Sequence, residues 1–372
     1  MRRREFITLL GGAAAAWPAF AQSQYASTRR CTCLAIIAMT TVVMFGFGRA
    51  AAADDRETCA KAWGDTAIAA CTRAIGSPRF KDRDLVRLYY NRGIEYDEKR
   101  DYDRAIADYN EVIHLDPIYA KAYCDRGNAW RNKGDLDRAI ADYNEAIRLD
   151  PKDAKAYNSR GIASRAKGDL DRAIADYNEA IRLDPKDAAY YNNRGNAWRN
   201  KGDLDRAIAD YNEAIRLDPK DAGCYKNRGV ANLYAGSLSK ALADLNQASE
   251  LKPKDAYTAL WLDVVNKRSN LPSRLPQAIA QLDMTRWPAP VIRLFLGQMT
   301  PDAVLAAADD PNGMIKQRRV CEASFFSGEL RLMQGTKENA AHLFRLAATD
   351  CPKTLIVWSA ANAELKALSS SP

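Results

Sequence analysis

The sequence predicts an all-α solenoid built from antiparallel helix pairs. Three observations predict it. Several residue types recur together every 34 positions between residues 86 and 255. Each unit holds two stretches whose apolar residues follow the helical period. A proline closes every unit at the same place, where it disfavours helix in the residue before it.

The leader comes first in the chain and reads unlike the rest. Residues 1–53 carry Arg2, Arg3, Arg4, Arg29, Arg30 and Arg49 against one acid, Glu5. The run from Arg2 to Ala21 resembles a twin-arginine export signal with a small-x-small cleavage site. A second unit with the same three parts follows: Arg29-Arg30, an apolar core from Cys33 to Phe47, and Ala51-Ala52-Ala53 before Asp54. The expectation is export to the periplasm with cleavage near Ala53. The alternative is an uncleaved inner-membrane anchor at Cys33–Phe47, a run near the short end for spanning a bilayer.

Residues 54–85 read as a degenerate first helix pair, because Ala67 to Ile75 aligns with Ala105 to Ile113. Five units follow, at 86–119, 120–153, 154–187, 188–221 and 222–255. Their markers are Tyr89, Tyr123, Tyr157, Tyr191 and Tyr225; then Gly93, Gly127, Gly161, Gly195 and Gly229. Next come Ala105, Ala139, Ala173, Ala207 and Ala241, then Tyr109, Tyr143, Tyr177, Tyr211 and Leu245, and last Pro117, Pro151, Pro185, Pro219 and Pro253. In the second unit Tyr123, Gly127 and Trp130 share one face of a first helix. Gly134-Asp135 ends that helix and caps the next. Ala139, Tyr143, Ala146 and Ile147 line one face of the second helix. One such pair has too little core to stand alone, and stacking supplies it. The tyrosines read as core. Arg92, Arg126, Arg160, Arg194 and Arg228 read as partners of nearby acids between repeats, since residues 86–255 hold 30 basic and 30 acidic side chains.

Residues 256–320 are helical in pattern but broken by Pro272, Pro276, Pro288, Pro290 and Pro301. They read as irregular helices that cap or bend the array. Gly328, Gly335, Ala340, Phe344, Ala347 and Pro352 return to the repeat spacing, so 321–354 reads as a further unit. Residues 355–372 form a closing helix and tail.

The period and its order of large residue, glycine, alanine, aromatic and proline resemble the tetratricopeptide repeat. That resemblance implies a right-handed superhelix and a non-enzymatic scaffold that binds a protein or peptide. In the family the first helices line a concave groove. The identical stretches Lys133 to Ala154, Lys167 to Ala188 and Lys201 to Ala222 leave the variation among those units in the first helices. The exported array also resembles periplasmic members of the family in Gram-negative bacteria, some of which are outer-membrane lipoproteins that act as adaptors. This chain lacks their lipid-attachment motif. Two further readings stand beside the scaffold: a structural array that self-associates, and a membrane-tethered assembly factor if the leader is retained.

The family's concave positions fall here on Asn158, Asn192, Asn193 and Asn227, with Asn128 and Asn196 one turn on and Arg131, Arg165 and Arg199 after them. Amides both donate and accept, which suits the backbone of an extended peptide. The arginines add contact with acidic side chains or a terminal carboxylate. The family's dicarboxylate clamp is not reproduced, because Asn128 is paired with Cys124 and Lys226 with Val230.

No chemistry-bearing constellation competes with that reading. The two histidines, His114 and His342, lie far apart in sequence. No metal, phosphate-loop or nucleophile motif occurs, so no cofactor and no catalysis are expected. The net charge of +8 is not gathered into a phosphate-binding patch, which argues against a nucleic-acid partner. Six cysteines lie beyond the leader. Cys321 is expected to open a first helix and Cys351 to close its second, so antiparallel packing predicts a Cys321–Cys351 disulfide. Cys59 and Cys71 flank Gly64-Asp65 and are read as a second bridge. Cys124 and Cys224 are expected to stay free.

Overall fold

The computed structural model describes residues 55–370, and every regular element among them is helical. The chain divides into two units, Met1–Ala53 and Asp54–Pro372. The leader and its cleavage site therefore lie outside the described residues.

A short helical stretch at 55–61 precedes α1 (Gly64–Ile75). Then come the helices of the periodic region: α2 (Arg83–Glu98), α3 (Tyr102–Leu115), α4 (Ala120–Lys133), α5 (Leu136–Leu149), α6 (Ala154–Lys167), α7 (Leu170–Leu183), α8 (Ala188–Lys201), α9 (Leu204–Leu217), α10 (Ala222–Tyr234) and α11 (Leu238–Leu251). Local chemistry sets these bounds. Gly134, Gly168 and Gly202 end α4, α6 and α8 at φ of 90°, 90° and 82°, where a side chain would be strained. The next residue, Asp135, Asp169 or Asp203, accepts from the backbone N–H of Arg138, Arg172 or Arg206 and so caps the following helix.

Each pair closes on one contact. A methyl group placed on Gly127 would lie 2.8 Å from the Tyr143 ring, and Gly93, Gly161 and Gly195 meet Tyr109, Tyr177 and Tyr211 in the same way. Those rings are at most 1% exposed. The earlier tyrosines, Tyr89 through Tyr225, are only half-buried. Each lies under the guanidinium of the arginine three residues on, as Tyr123 does under Arg126 at 5.5 Å.

Those arginines find their acids within the repeat, not between repeats. Arg126 grips Asp142 through Nε and Nη2, at 2.9 and 2.7 Å. Its Nη1 crosses to Asn110 of the preceding repeat at 2.7 Å. The same fork joins Arg92 to Asp108, Arg160 to Asp176, Arg194 to Asp210 and Arg228 to Asp244. One guanidinium therefore locks a helix pair and tethers it to its neighbour, with the bidentate geometry that makes such pairs specific.

First helices of neighbouring repeats touch one another (α2 with α4, α4 with α6, α6 with α8, α8 with α10), whereas second helices do not pack on each other to a like extent. The array therefore curves with the first helices on its inner side.

Beyond the periodic region lie α12 (Ala256–Arg268), α13 (Leu275–Ala278), α14 (Ala289–Phe295), α15 (Pro301–Ala307), α16 (Gly313–Met333), α17 (Lys337–Asp350) and α18 (Ile356–Ser370). They share one core around Trp261, whose ring lies 5.4 and 5.5 Å from those of Phe325 and Phe326. Gly328 meets Phe344 as Gly127 meets Tyr143. Arg268 joins two buried acids, Glu329 on α16 and Glu364 on α18, at 2.6 and 2.5 Å.

The expected Cys321–Cys351 disulfide is absent, and both residues are free, buried thiols. The first helix begins at Gly313, so Cys321 sits within α16 and not at its start. The two thiols still lie side by side, and the hydrogen bond between them, with burial, pushes Cys351 far up. Cys59 and Cys71 form a disulfide, while Cys124 and Cys224 are free and buried.

Candidate partner-binding site

The candidate residues lie on α4, α6, α8 and α10, the helices of the inner side. Their amides are partly engaged with one another. Asn193 Nδ2 donates to Asn158 Oδ1 and Asn227 Nδ2 to Asn192 Oδ1, both at 2.9 Å and each across a repeat boundary. Each amide in these pairs spends one donor or acceptor on the other. Asn128 and Asn196 accept from the hydroxyls of Tyr143 and Tyr211, at 2.9 and 3.0 Å. All six asparagines are half-buried.

The three arginines differ from the ion-paired series. Among the described residues, none of Arg131, Arg165 and Arg199 forms a salt bridge. Arg165 is 8% exposed and Arg199 5%. Arg199 donates to Ser359 Oγ at 3.0 Å and to the Tyr211 hydroxyl at 3.2 Å. Burial, with Arg165 beside it, pushes the Arg199 pKa below its ordinary value. At the other end of the row, burial raises the Asp97 carboxyl, which Arg131 acts to lower.

Ser359 belongs to the chain's own C-terminal segment, and this is what sequence reasoning missed. The segment returns to the inner side of the array. Asn200 Nδ2 donates to the Lys353 carbonyl at 2.7 Å. The Lys353 side chain lies against Gly168. Of the candidate residues, Arg199 is thus committed to the fold, while Arg131 and Asn158 stand on the preceding first helices, α4 and α6. No periodic signal marks Lys353 or Ser359, because each occurs once and outside the repeats. The partner acids Asp142 and Asp176 were legible, since they recur every 34 residues with their arginines.

Among the described residues no cluster of three or more His, Cys, Asp or Glu side chains is set to hold a metal. None of their helices is long and apolar enough to cross a membrane.

The tetratricopeptide-repeat family model matches residues 90–154 and 158–222. Comparison with the curated proteins gives no match. Among solved structures, a tetratricopeptide repeat protein from Parabacteroides merdae aligns with a TM-score of 0.51 at 14% identity, over 77% of this chain and 99% of its own. YrrB, described as a TPR protein with an unusual peptide-binding site, aligns with a TM-score of 0.42 at 25% identity, over 52% of this chain and 97% of its own. MamA aligns with a TM-score of 0.41 at 27% identity, over 44% of this chain and 96% of its own. The resemblance to envelope lipoproteins gains no support from these comparisons.

Proposed function

The chain is a tetratricopeptide-repeat protein, and we propose that it is a non-catalytic scaffold that holds an extended segment of a partner protein against the inner faces of α4, α6 and α8. The observation that carries this reading is the spare hydrogen-bonding capacity of the cross-repeat amide pair Asn158–Asn193, beside guanidinium groups that no acid neutralises. Paired amides hold each other in place, so a peptide backbone meets pre-set donors and acceptors and less ordering cost is incurred on binding. The array stands on the rigid, bidentate Arg–Asp forks, which is the stiffness a recognition surface needs.

The setting we propose is the periplasm, after removal of the leader near Ala53, in keeping with the signal-like anatomy of residues 1–53. The test has two parts. N-terminal sequencing of the exported protein is expected to start at or near Asp54, and a membrane-bound product that keeps Cys33–Phe47 would overturn that location. A partner captured from the envelope fraction is expected to bind the variant with Asn158, Asn192 and Asn196 all replaced by Ala at least about tenfold more weakly, on the order of 1.4 kcal/mol, with helicity unchanged. Unaltered affinity in that folded variant removes the inner face from the mechanism.

A further inference from the structure

The third repeat departs from its neighbours on the inner wall itself. Residues 127–132 and 195–200 both read Gly-Asn-Ala-Trp-Arg-Asn, whereas 161–166 read Gly-Ile-Ala-Ser-Arg-Ala. The differences change the partners of the groups around them. Asn128 and Asn196 take the hydroxyl hydrogens of Tyr143 and Tyr211. Ile162 stands in the matching place, so the buried Tyr177 hydroxyl lacks the amide acceptor its neighbours have, and Arg165 beside it can only donate to it. Ser164 replaces the indoles of Trp130 and Trp198, and its Oγ is buried and unpartnered as well. Arg165 completes the set, with Nε and Nη1 buried and without acceptors.

Arg165 and the Tyr177 hydroxyl belong together in space. Arg165 and Arg131 both act on the Tyr177 hydroxyl, and Arg165 acts on Tyr211 and Arg199. Lys353 reaches the same helix end at Gly168. The acids that act on Tyr177 and Tyr211, Asp176 and Asp210, are held by Arg160 and Arg194. A buried guanidinium without acceptors is costly to the fold, and a second buried guanidinium beside it adds to the cost. The unpartnered groups of Arg165 and Tyr177 are able to donate hydrogen bonds, so the site fits an anion. Either edge of the Arg165 guanidinium, Nε with Nη2 or Nη1 with Nη2, matches the two oxygens of a carboxylate.

We propose that Arg165, with the Tyr177 hydroxyl, forms a subsite for the carboxylate of one acidic side chain in the bound segment. The proposal rests on the inner-face reading above and names the chemistry of the ligand. The amide pair Asn158–Asn193 holds the backbone that carries the acid.

The test uses a capped pentapeptide of alanines with a central glutamate, its glutamine counterpart, and inorganic phosphate, each titrated by calorimetry into the full chain at near-physiological salt. The glutamate peptide is expected to bind at least about tenfold more tightly than the glutamine peptide. R165Q and Y177F are expected to erase that preference. I162N, which restores the residue both neighbouring repeats carry, is expected to weaken it by giving Tyr177 an internal acceptor. Without ligand, R165Q is expected to be at least as stable to denaturant as the parent. Equal binding of the two peptides overturns the proposal, as does a preference that survives R165Q. A large loss of stability in unliganded R165Q overturns it too, because the partner of Arg165 would then lie within the fold. Phosphate binding that depends on Arg165 without a glutamate preference shows a free-anion site instead. The inner-face reading fails separately, through the asparagine variant and the captured partner.

Discussion

The Arg199 guanidinium donates to the hydroxyl of Ser359, 160 residues further along the chain, at 3.0 Å. With Asn200 on the Lys353 carbonyl, this contact lays the C-terminal segment on the inner side of the fourth repeat. The array thus supplies part of its own groove lining. The S359A and N200A double variant is expected to lose about 1–3 kcal/mol of local stability, the range for buried hydrogen bonds of which one involves a charged group. Hydrogen exchange is expected to rise in residues 351–370 and stay unchanged in α3 and α5. Equal protection in the variant would show that packing alone holds the segment.

The Arg268 cluster makes this segment sensitive to pH. Burial, more than any other influence, raises Glu329 to about 7; the Arg268 charge opposes that rise and Glu364 adds to it. The Tyr234 hydroxyl also faces the group. A carboxyl with a raised folded-state pKa keeps its proton in the fold after the unfolded chain has lost it. Its contribution is therefore full below about pH 4.5, the unfolded value, and is lost as pH rises through about 7. The swing is on the order of 3 kcal/mol. Urea denaturation between pH 5 and 8 is expected to show stability falling as pH rises, and E329Q is expected to flatten that slope. The same slope in both proteins would assign it to other groups.

The glycine-on-ring contact is tight enough to test with one methyl group. G127A and G161A each place Cβ under 3 Å from a buried tyrosine ring. Overpacking of that kind is expected to cost about 1–3 kcal/mol, whereas alanine in an open helix would gain stability over glycine. Chemical denaturation decides the sign, and a stabilised variant would mean that the helices move apart freely.

Removing one side of an Arg–Asp fork leaves a buried charge behind. R126A strands Asp142, which is 7% exposed, and frees Asn110 of the preceding repeat. The expected loss is about 3 kcal/mol, the lower end for a broken buried pair. The R126A and D142A double variant is expected to recover part of it, and a double-mutant cycle reads the coupling.

Thiol counting separates the two cysteine pairs. The denatured, unreduced chain beginning at Asp54 is expected to show four reactive thiols, Cys124, Cys224, Cys321 and Cys351, with Cys59 and Cys71 joined. A count of two would restore the Cys321–Cys351 bond.

The period of 34 residues by itself determined the fold class. Helix starts and stops were legible too, because Gly134, Asp135 and Pro151 act on the backbone within a few residues of where they stand. The Arg126–Asp142 fork was half legible. Both residues recur with the period, but that they meet within one repeat follows only from the antiparallel turn between them. What only the tertiary structure decided concerns single, non-periodic residues. Cys321 and Cys351 were expected to bond, yet the early start of α16 at Gly313 places Cys321 inside a helix, where the two thiols meet unbonded. The row of Arg131, Arg165 and Arg199 looks uniform in sequence. Its members differ because Ser359 reaches Arg199, while Arg165 is buried with Nε and Nη1 beyond any acceptor. Repeats write their own packing into the sequence, since every local contact is made several times over. A contact between Arg199 and Ser359 is made once, between segments distant along the chain, and only the folded path brings it about.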